Sequence, residues 1–317
     1  MNWQPSCTLE NARTRAAAIN AIRDYMALQR VLEVTTPVFH PAPVTEPATE
    51  SFTVGSMTDG QQRFLRTSAE YPMKRLLAAG WPDIFEIGAV FREGESGRRH
   101  EPEFTMLEWY RLGFDLDQII ADAVSLIRST LQTIGVDQTV VQRIATYDEW
   151  LNAAVGHNSE MDAATLQRLA GSEVYSALDG ERDALLGWLF DTSVASGFKP
   201  SDLSVVTHFP ASQASLAKLN DNGDRALRFE IYLGGNELAN GFVELTDSVE
   251  QRRRFKADNE KRLQRGQTPQ PIDESLLAAL EHGLPDCAGV AMGIERLLMS
   301  AIPTKDIADV ISFKTGN

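Results

Sequence analysis

Apolar and polar positions repeat along this chain with two periods. Between residues 84 and 92, Phe85, Ile87, Ala89 and Phe91 alternate with Glu86, Gly88, Val90 and Arg92, which predicts a strand packed on one face with Arg92 turned away from the phenylalanine row. Residues 104–110 read as a second strand, with Glu108 and Tyr110 opposite Leu107 and Trp109. Around Gly234-Gly235, residues 228–247 predict a tight hairpin in which Leu233 pairs with Asn236 and Glu230 shares a face with Glu237. Asn240, Phe242 and Glu244 fall on the opposite parity and reach that face only through a bulge near residues 239–241.

Helical spacing appears elsewhere. Residues 15–30 carry Ile19, Ile22 and Met26 on one face and run into Val31-Leu32-Glu33-Val34-Thr35-Thr36-Pro37. Residues 116–198 read as mainly helical, with Ile119, Ile120, Ala123, Leu126 and Ile127 on one face and Leu185, Leu186, Leu189 and Phe190 on another, an insertion packed on the sheet of a single domain spanning 1–317. Residues 250–265 predict a charged helix with a solvated face. Gly289 to Met299 is a glycine-spaced strand running into a helix.

Candidate chemistry sits on these elements. The loop after Arg92 carries Arg98, Arg99 and His100, cations that can fold over a polyphosphate or simply face water. Small residues at Gly289, Ala291 and Gly293 allow a flat ring or a phosphate close to the backbone, and Arg296 lies in the first helical turn, where the dipole favours an anion; close helix-strand packing would use the same residues. Glu230 and Glu237 suit a hard, oxygen-liganded Mg²⁺.

Composition narrows the field. The 317 residues are 43% hydrophobic, enough for a substantial core, and 44 acidic against 30 basic side chains give a net charge of −14, which opposes approach to a polyanion. No apolar run approaches the roughly 18 residues of a membrane span, and residues 11–15 belong to a start without an apolar signal core, so a cytoplasmic protein with reduced Cys7 and Cys287 is expected. A phosphate loop of the G-x-x-x-x-G-K-[ST] type and an H-E-x-x-H helix are both missing, and His40, His157, His208 and His282 stand outside any ligand-spaced cluster.

Three constellations come in the order of the signature motifs of class II aminoacyl-tRNA synthetases: the helix and strand ending at Pro37, the Arg92 hairpin, and Gly289 to Met299. Thr67-Ser68-Ala69-Glu70-Tyr71-Pro72-Met73-Lys74-Arg75, Pro102 to Tyr110, His208 to Ala217 and Glu237 to Asp247 carry a closer likeness to lysyl-tRNA synthetases, and within that neighbourhood to truncated paralogues that ligate lysine to elongation factor P. The resemblance covers nearly the whole chain. It implies an α+β class II catalytic domain, an antiparallel sheet flanked by helices, working as a homodimer. It also implies that Ser68, Glu70, Glu108, Tyr110, Asn240, Phe242, Glu244 and Ala291 bind the amino acid, and that Arg92 and Arg296 are catalytic. The same two arginines, with Glu93, Gly94, His100, Glu101, Glu237, Leu238 and Gly293, would hold ATP, and Glu230 and Glu237 would hold Mg²⁺.

The implied reaction is formation of an aminoacyl-adenylate from ATP and transfer to a lysine side chain of elongation factor P. The predicted first-motif helix begins about a dozen residues from Met1, which leaves no room for an anticodon-reading barrel and makes tRNA an unexpected partner. Ala291 resembles the paralogues' alanine where lysyl-tRNA synthetases tend to carry glycine, a methyl group that favours (R)-β-lysine over lysine by ~1–3 kcal/mol at most. Two positions depart from the pattern. Gly94 stands where the second motif usually has an acid, and Glu101 replaces its asparagine, so that Glu101 either faces solvent or marks a loop shifted by one residue. A ligase that charges tRNA or another small acceptor, and a non-catalytic dimeric amino-acid-binding module, are the alternatives.

Overall fold

The computed structural model describes residues 3–55, 60–136, 141–302 and 304–315. The chain gathers into two compact units, residues 1–137 with 244–317, and residues 138–243.

In the first unit the strands run in the order Leu32–Glu33, Ile84–Phe91, Glu103–Leu112, Cys287–Gly293. Ile84–Phe91 pairs antiparallel with Glu103–Leu112, setting Glu86 opposite Glu108, and Cys287–Gly293 pairs antiparallel on its other side, setting Gly289 opposite Tyr110 and Ala291 opposite Glu108. The edge strand Leu32–Glu33 pairs parallel. Both faces of Glu103–Leu112 are covered: Leu107 and Trp109 are fully buried on one, and Glu108 and Tyr110 are 3% exposed on the other. Carboxylates on a covered face need compensating donors or cations, and this one strand therefore fixes where polar chemistry concentrates.

Helices cover this sheet. Leu9–Leu28 starts six residues before the periodicity suggests, because Thr8 caps it by accepting from Asn11 N–H, and it buries Ala18, Ile22 and Met26. Leu116–Thr133 opens on a capping box of Asp115 and Gln118 and buries Ile119, Ile120, Ala123, Leu126 and Ile127, the face expected from the sequence. Its Asp122 accepts from Trp109 Nε1 at 3.1 Å, which ties helix to sheet.

The second unit has the strand order Asn236–Val243, Arg225–Leu233, Asp202–Pro210, Val141–Thr146, antiparallel except for the last pair. Helices Tyr147–Val155 and Arg182–Leu189 meet it through an aromatic and leucine core, in which Tyr147 and Phe190 stack with ring centroids 4.6 Å apart. Within the stretch expected to be helical, residues 137–140 lie outside the described residues, and Val141–Thr146 is a strand. Six residues are too short to show a period against the helices around them. Among the described residues no helix is long and apolar enough to cross a membrane.

Candidate active site

The candidate residues divide between the two units. In the first, the start of helix Glu70–Ala78 meets strand Glu103–Leu112: Glu108 accepts from Ser68 Oγ at 2.7 Å and from Ala69 N–H at 2.5 Å, while Ser68 Oγ accepts from Glu70 N–H at 3.0 Å. A carboxylate from a neighbouring strand thus serves as the helix's N-terminal anion. One turn on, Lys74 Nζ lies 2.5 Å from Glu70 Oε1 and 2.5 Å from Glu244 Oε2. Glu244 Oε1 is buried without a hydrogen-bond partner among the described residues. A methyl group at Gly289 would lie 2.5 Å from that oxygen and 2.5 Å from Tyr110 Cε1, so glycine is what lets the carboxylate and the phenol share this floor.

Burial governs the protonation of this cluster. It pushes the Glu108 carboxyl up to about 7, against the pull of the Ala69 and Ser68 donors. It pushes Glu244 up to about 8, with Lys74 opposing and Glu70 and Glu108 adding to the rise. Arg66 is engaged with Glu86 at 2.7 Å and hydrogen-bonded to Thr36.

The second-motif loop also belongs to this unit. Arg92 N–H donates to Pro102 O, its guanidinium stands 5.3 Å from the Phe104 ring centroid and 3.5 Å from Glu95, and its Nε is buried without a partner among the described residues. Gly94 takes φ +83°, a conformation the usual acid would adopt only under strain. Glu93 N–H donates to Glu50 O. Arg98 and Arg99 are exposed. His100 Nε2 accepts from Arg296 Nη2 at 3.1 Å, and burial together with Arg296 lowers its pKa, so the ring is held neutral beside the arginine. Arg296 projects from the first turn of helix Ile294–Ala301, immediately after Gly293. Glu101 does not face solvent: it is 2% exposed and accepts from Thr315 N–H at 3.0 Å. The C-terminal segment that supplies this donor is remote in sequence.

In the second unit the hairpin turns at Gly234-Gly235 as expected, with Leu233 opposite Asn236 and Glu237 opposite Tyr232. A bulge between Glu237 and Ala239 then sets Asn240 opposite Glu230 and Phe242 opposite Arg228. This is the bulge the parity required, one residue earlier than expected, and it brings Glu230, Glu237, Asn240 and Phe242 to one face. Leu238 is buried at the bulge. Glu230 accepts from Arg228 Nη2 and Tyr232 Oη, each at 2.6 Å, and Arg228 Nε donates to Asn240 Oδ1 at 3.3 Å. Burial raises Glu230 to about 7, with Arg228 opposing and Glu237 adding to the rise.

The family model for tRNA synthetases class II (D, K and N) matches residues 3–316. The chain belongs to the class II tRNA synthetases. Its similar relatives include proteins named elongation factor P–(R)-β-lysine ligase. One from Pectobacterium carotovorum is 43% identical over 98% of this chain and 97% of the relative, and one from Vibrio parahaemolyticus is 43% identical over 98% of each. One from Yersinia enterocolitica is 42% identical over 99% of this chain and 98% of the relative.

Within this class II frame, two cations escaped the sequence reading. Lys74 was signalled by its i, i+4 spacing from Glu70, and Arg228 by its place two residues before Glu230 on the same strand face. The raised carboxyls also set a pH dependence. Between the ordinary glutamate range and about 7, the folded protein holds a proton on Glu108 that the unfolded chain releases, so stability falls as pH rises through that window. Glu230 and Glu244 act in the same direction. Unfolding free energies from urea titrations between pH 5 and 8 are expected to decline by on the order of 1 kcal/mol per pH unit per group, and Glu108→Gln to flatten part of that decline.

Proposed function

We propose that this protein activates (R)-β-lysine, or lysine, with ATP as an aminoacyl-adenylate and transfers the acyl group to a lysine side chain of elongation factor P. The observation that carries the reading is the acid cluster of buried Glu108 and Glu244 with half-buried Glu70, in which a Glu244 oxygen has no hydrogen-bond partner among the described residues and lies over the bare backbone of Gly289. It lies in a class II chain that matches ligases of that name over nearly their full length. A buried carboxylate with spare acceptor capacity calls for a cation, and a diamino acid brings two.

In this reading Glu244, Glu108 and Glu70 receive the substrate's ammonium groups beside Ser68 and Tyr110, with Asn240 and Phe242 completing amino-acid recognition and Ala291 trimming the floor in favour of the β-amino acid. The substrate carboxylate is already an anion, so its attack on the α-phosphorus needs no general base. Arg92 and Arg296 offset the charge that gathers on the phosphoryl oxygens, and the neutral His100 accepts from Arg296 without competing for the anion. Glu93, Gly94, Glu101, Leu238 and Gly293 are the remaining ATP contacts. Glu230 and Glu237 would hold Mg²⁺: they share one hairpin face and offer hard oxygens, and burial raises Glu230, with Arg228 opposing and Glu237 adding to the rise. When bound, the ion would neutralise phosphate charge.

A homodimer forms through helix Leu9–Leu28, whose Leu9 and Leu28 are 69% and 82% exposed, and the protein works in the cytoplasm. The net charge of −14 speaks against tRNA as the acceptor. Amino-acid-dependent ATP–pyrophosphate exchange tests the activation step. Exchange with (R)-β-lysine exceeding that with lysine is expected, and chelation of Mg²⁺ should abolish it. Exchange with neither substrate would refute the reading.

A further inference from the structure

Helix Glu70–Ala78 carries Lys74 into the acid cluster, with its side chain 1% exposed and its ammonium 2.5 Å from an oxygen of Glu70 and 2.5 Å from one of Glu244. So enclosed a side chain has no route to water. Burial works to strip its proton, but the two carboxylates more than offset this and leave it more firmly protonated than an ordinary lysine. One oxygen of each acid is thereby fixed, and Glu244 Oε1 is turned to the Gly289 floor. Glu70 and Glu244 face this one internal ammonium and Glu108 acts on Glu244 beside them, so the three acids leave an excess of two negative charges when all are ionised. The neighbouring ionisable groups do not alter the count: Arg66 is spent on Glu86, and burial keeps Tyr110 and Cys287 protonated and neutral.

We propose that Lys74 is a positioning and specificity residue, an internal ammonium that aims Glu70 and Glu244 and sets the pocket charge to complement a substrate carrying two ammonium groups. The inference rests on the amino-acid activation proposed above. It explains why so acidic a pocket contains a lysine at all, and it separates diamino acids from monoamino acids by charge rather than by shape.

Calorimetric titration of lysine and (R)-β-lysine without ATP, from pH 6 to 9, on wild-type protein and Lys74→Ala, tests it. The variant is expected to bind at least roughly tenfold more weakly, because truncating one member of a buried charge cluster leaves the others uncompensated. Without the internal cation the acids ionise later, so the rise of affinity with pH should move upward by about one pH unit. Propylammonium, which replaces the deleted stem and charge, should restore both affinity and pH profile. If Lys74→Ala does not fold, Lys74→Met keeps the apolar volume and repeats the comparison. An unchanged affinity and pH profile overturns the inference. So does a loss of diamino-acid affinity, ATP affinity and melting temperature together that propylammonium does not repair, since that describes packing alone. Wild-type protein that binds a diamino acid but supports no pyrophosphate exchange refutes the activity and leaves the Lys74 comparison to decide. Wild-type protein that binds none refutes both.

Discussion

Arg296→Ala is expected to lower lysine-dependent ATP–pyrophosphate exchange roughly 10³-fold, the scale on which a positioned cation stabilises a charged phosphoryl transition state. The arginine leaves the first turn of helix Ile294–Ala301, and one contact within its hydrogen-bond reach is the neutral imidazole of His100. Its charge is thus held in place without being neutralised by that contact. Arg296→Lys keeps the charge but loses the planar fork, and should recover about a tenth of the lost rate or less. The fold should survive, since the side chain is no part of the buried core, and thermal melts run beside the exchange assay check this. A variant within tenfold of wild type would remove Arg296 from the phosphate clamp.

Glu244→Gln should produce a comparably large loss of a different kind. The amide keeps the shape of the side chain over Gly289 but cannot ionise, so an incoming ammonium meets a neutral group. The expected result is a fall of roughly 10²-fold or more in kcat/KM for the amino acid with the KM for ATP little changed. Burial already holds Glu244 up at about 8, so near neutral pH the free protein keeps a proton there that substrate binding must expel. Calorimetry in buffers of different ionisation enthalpy should therefore detect proton release when wild type binds lysine, and less of it with Glu244→Gln. Equal losses in amino-acid and ATP parameters would instead mark Glu244 as structural.

Much of the local structure is legible in the sequence. The alternation through residues 84–92 is the strand Ile84–Phe91, although it is not packed on one face as expected, since Glu86 and Val90 on the other face are buried; the bulge needed for Asn240 and Phe242 to share a face with Glu237 stands between Glu237 and Ala239. Both are local consequences of a period of two. What escaped depends on contacts far apart in sequence. Glu101 is buried by a backbone donor at Thr315, and the Glu244 partner of Lys74 lies on a distant segment. Nor does alternation tell whether a polar face meets water or protein; Glu108 and Tyr110 are buried because other elements cover that side of the sheet. The strand Val141–Thr146 was hidden by the helical periods on either side of it.

Elongation factor P incubated with this protein, ATP, Mg²⁺ and (R)-β-lysine is expected to gain a single β-lysyl group on a lysine ε-amine, read by intact mass and located by peptide mapping, with no gain when ATP is omitted. Unmodified elongation factor P alongside tRNA that becomes esterified in the same reaction would contradict the proposed ligase and return the protein to tRNA charging.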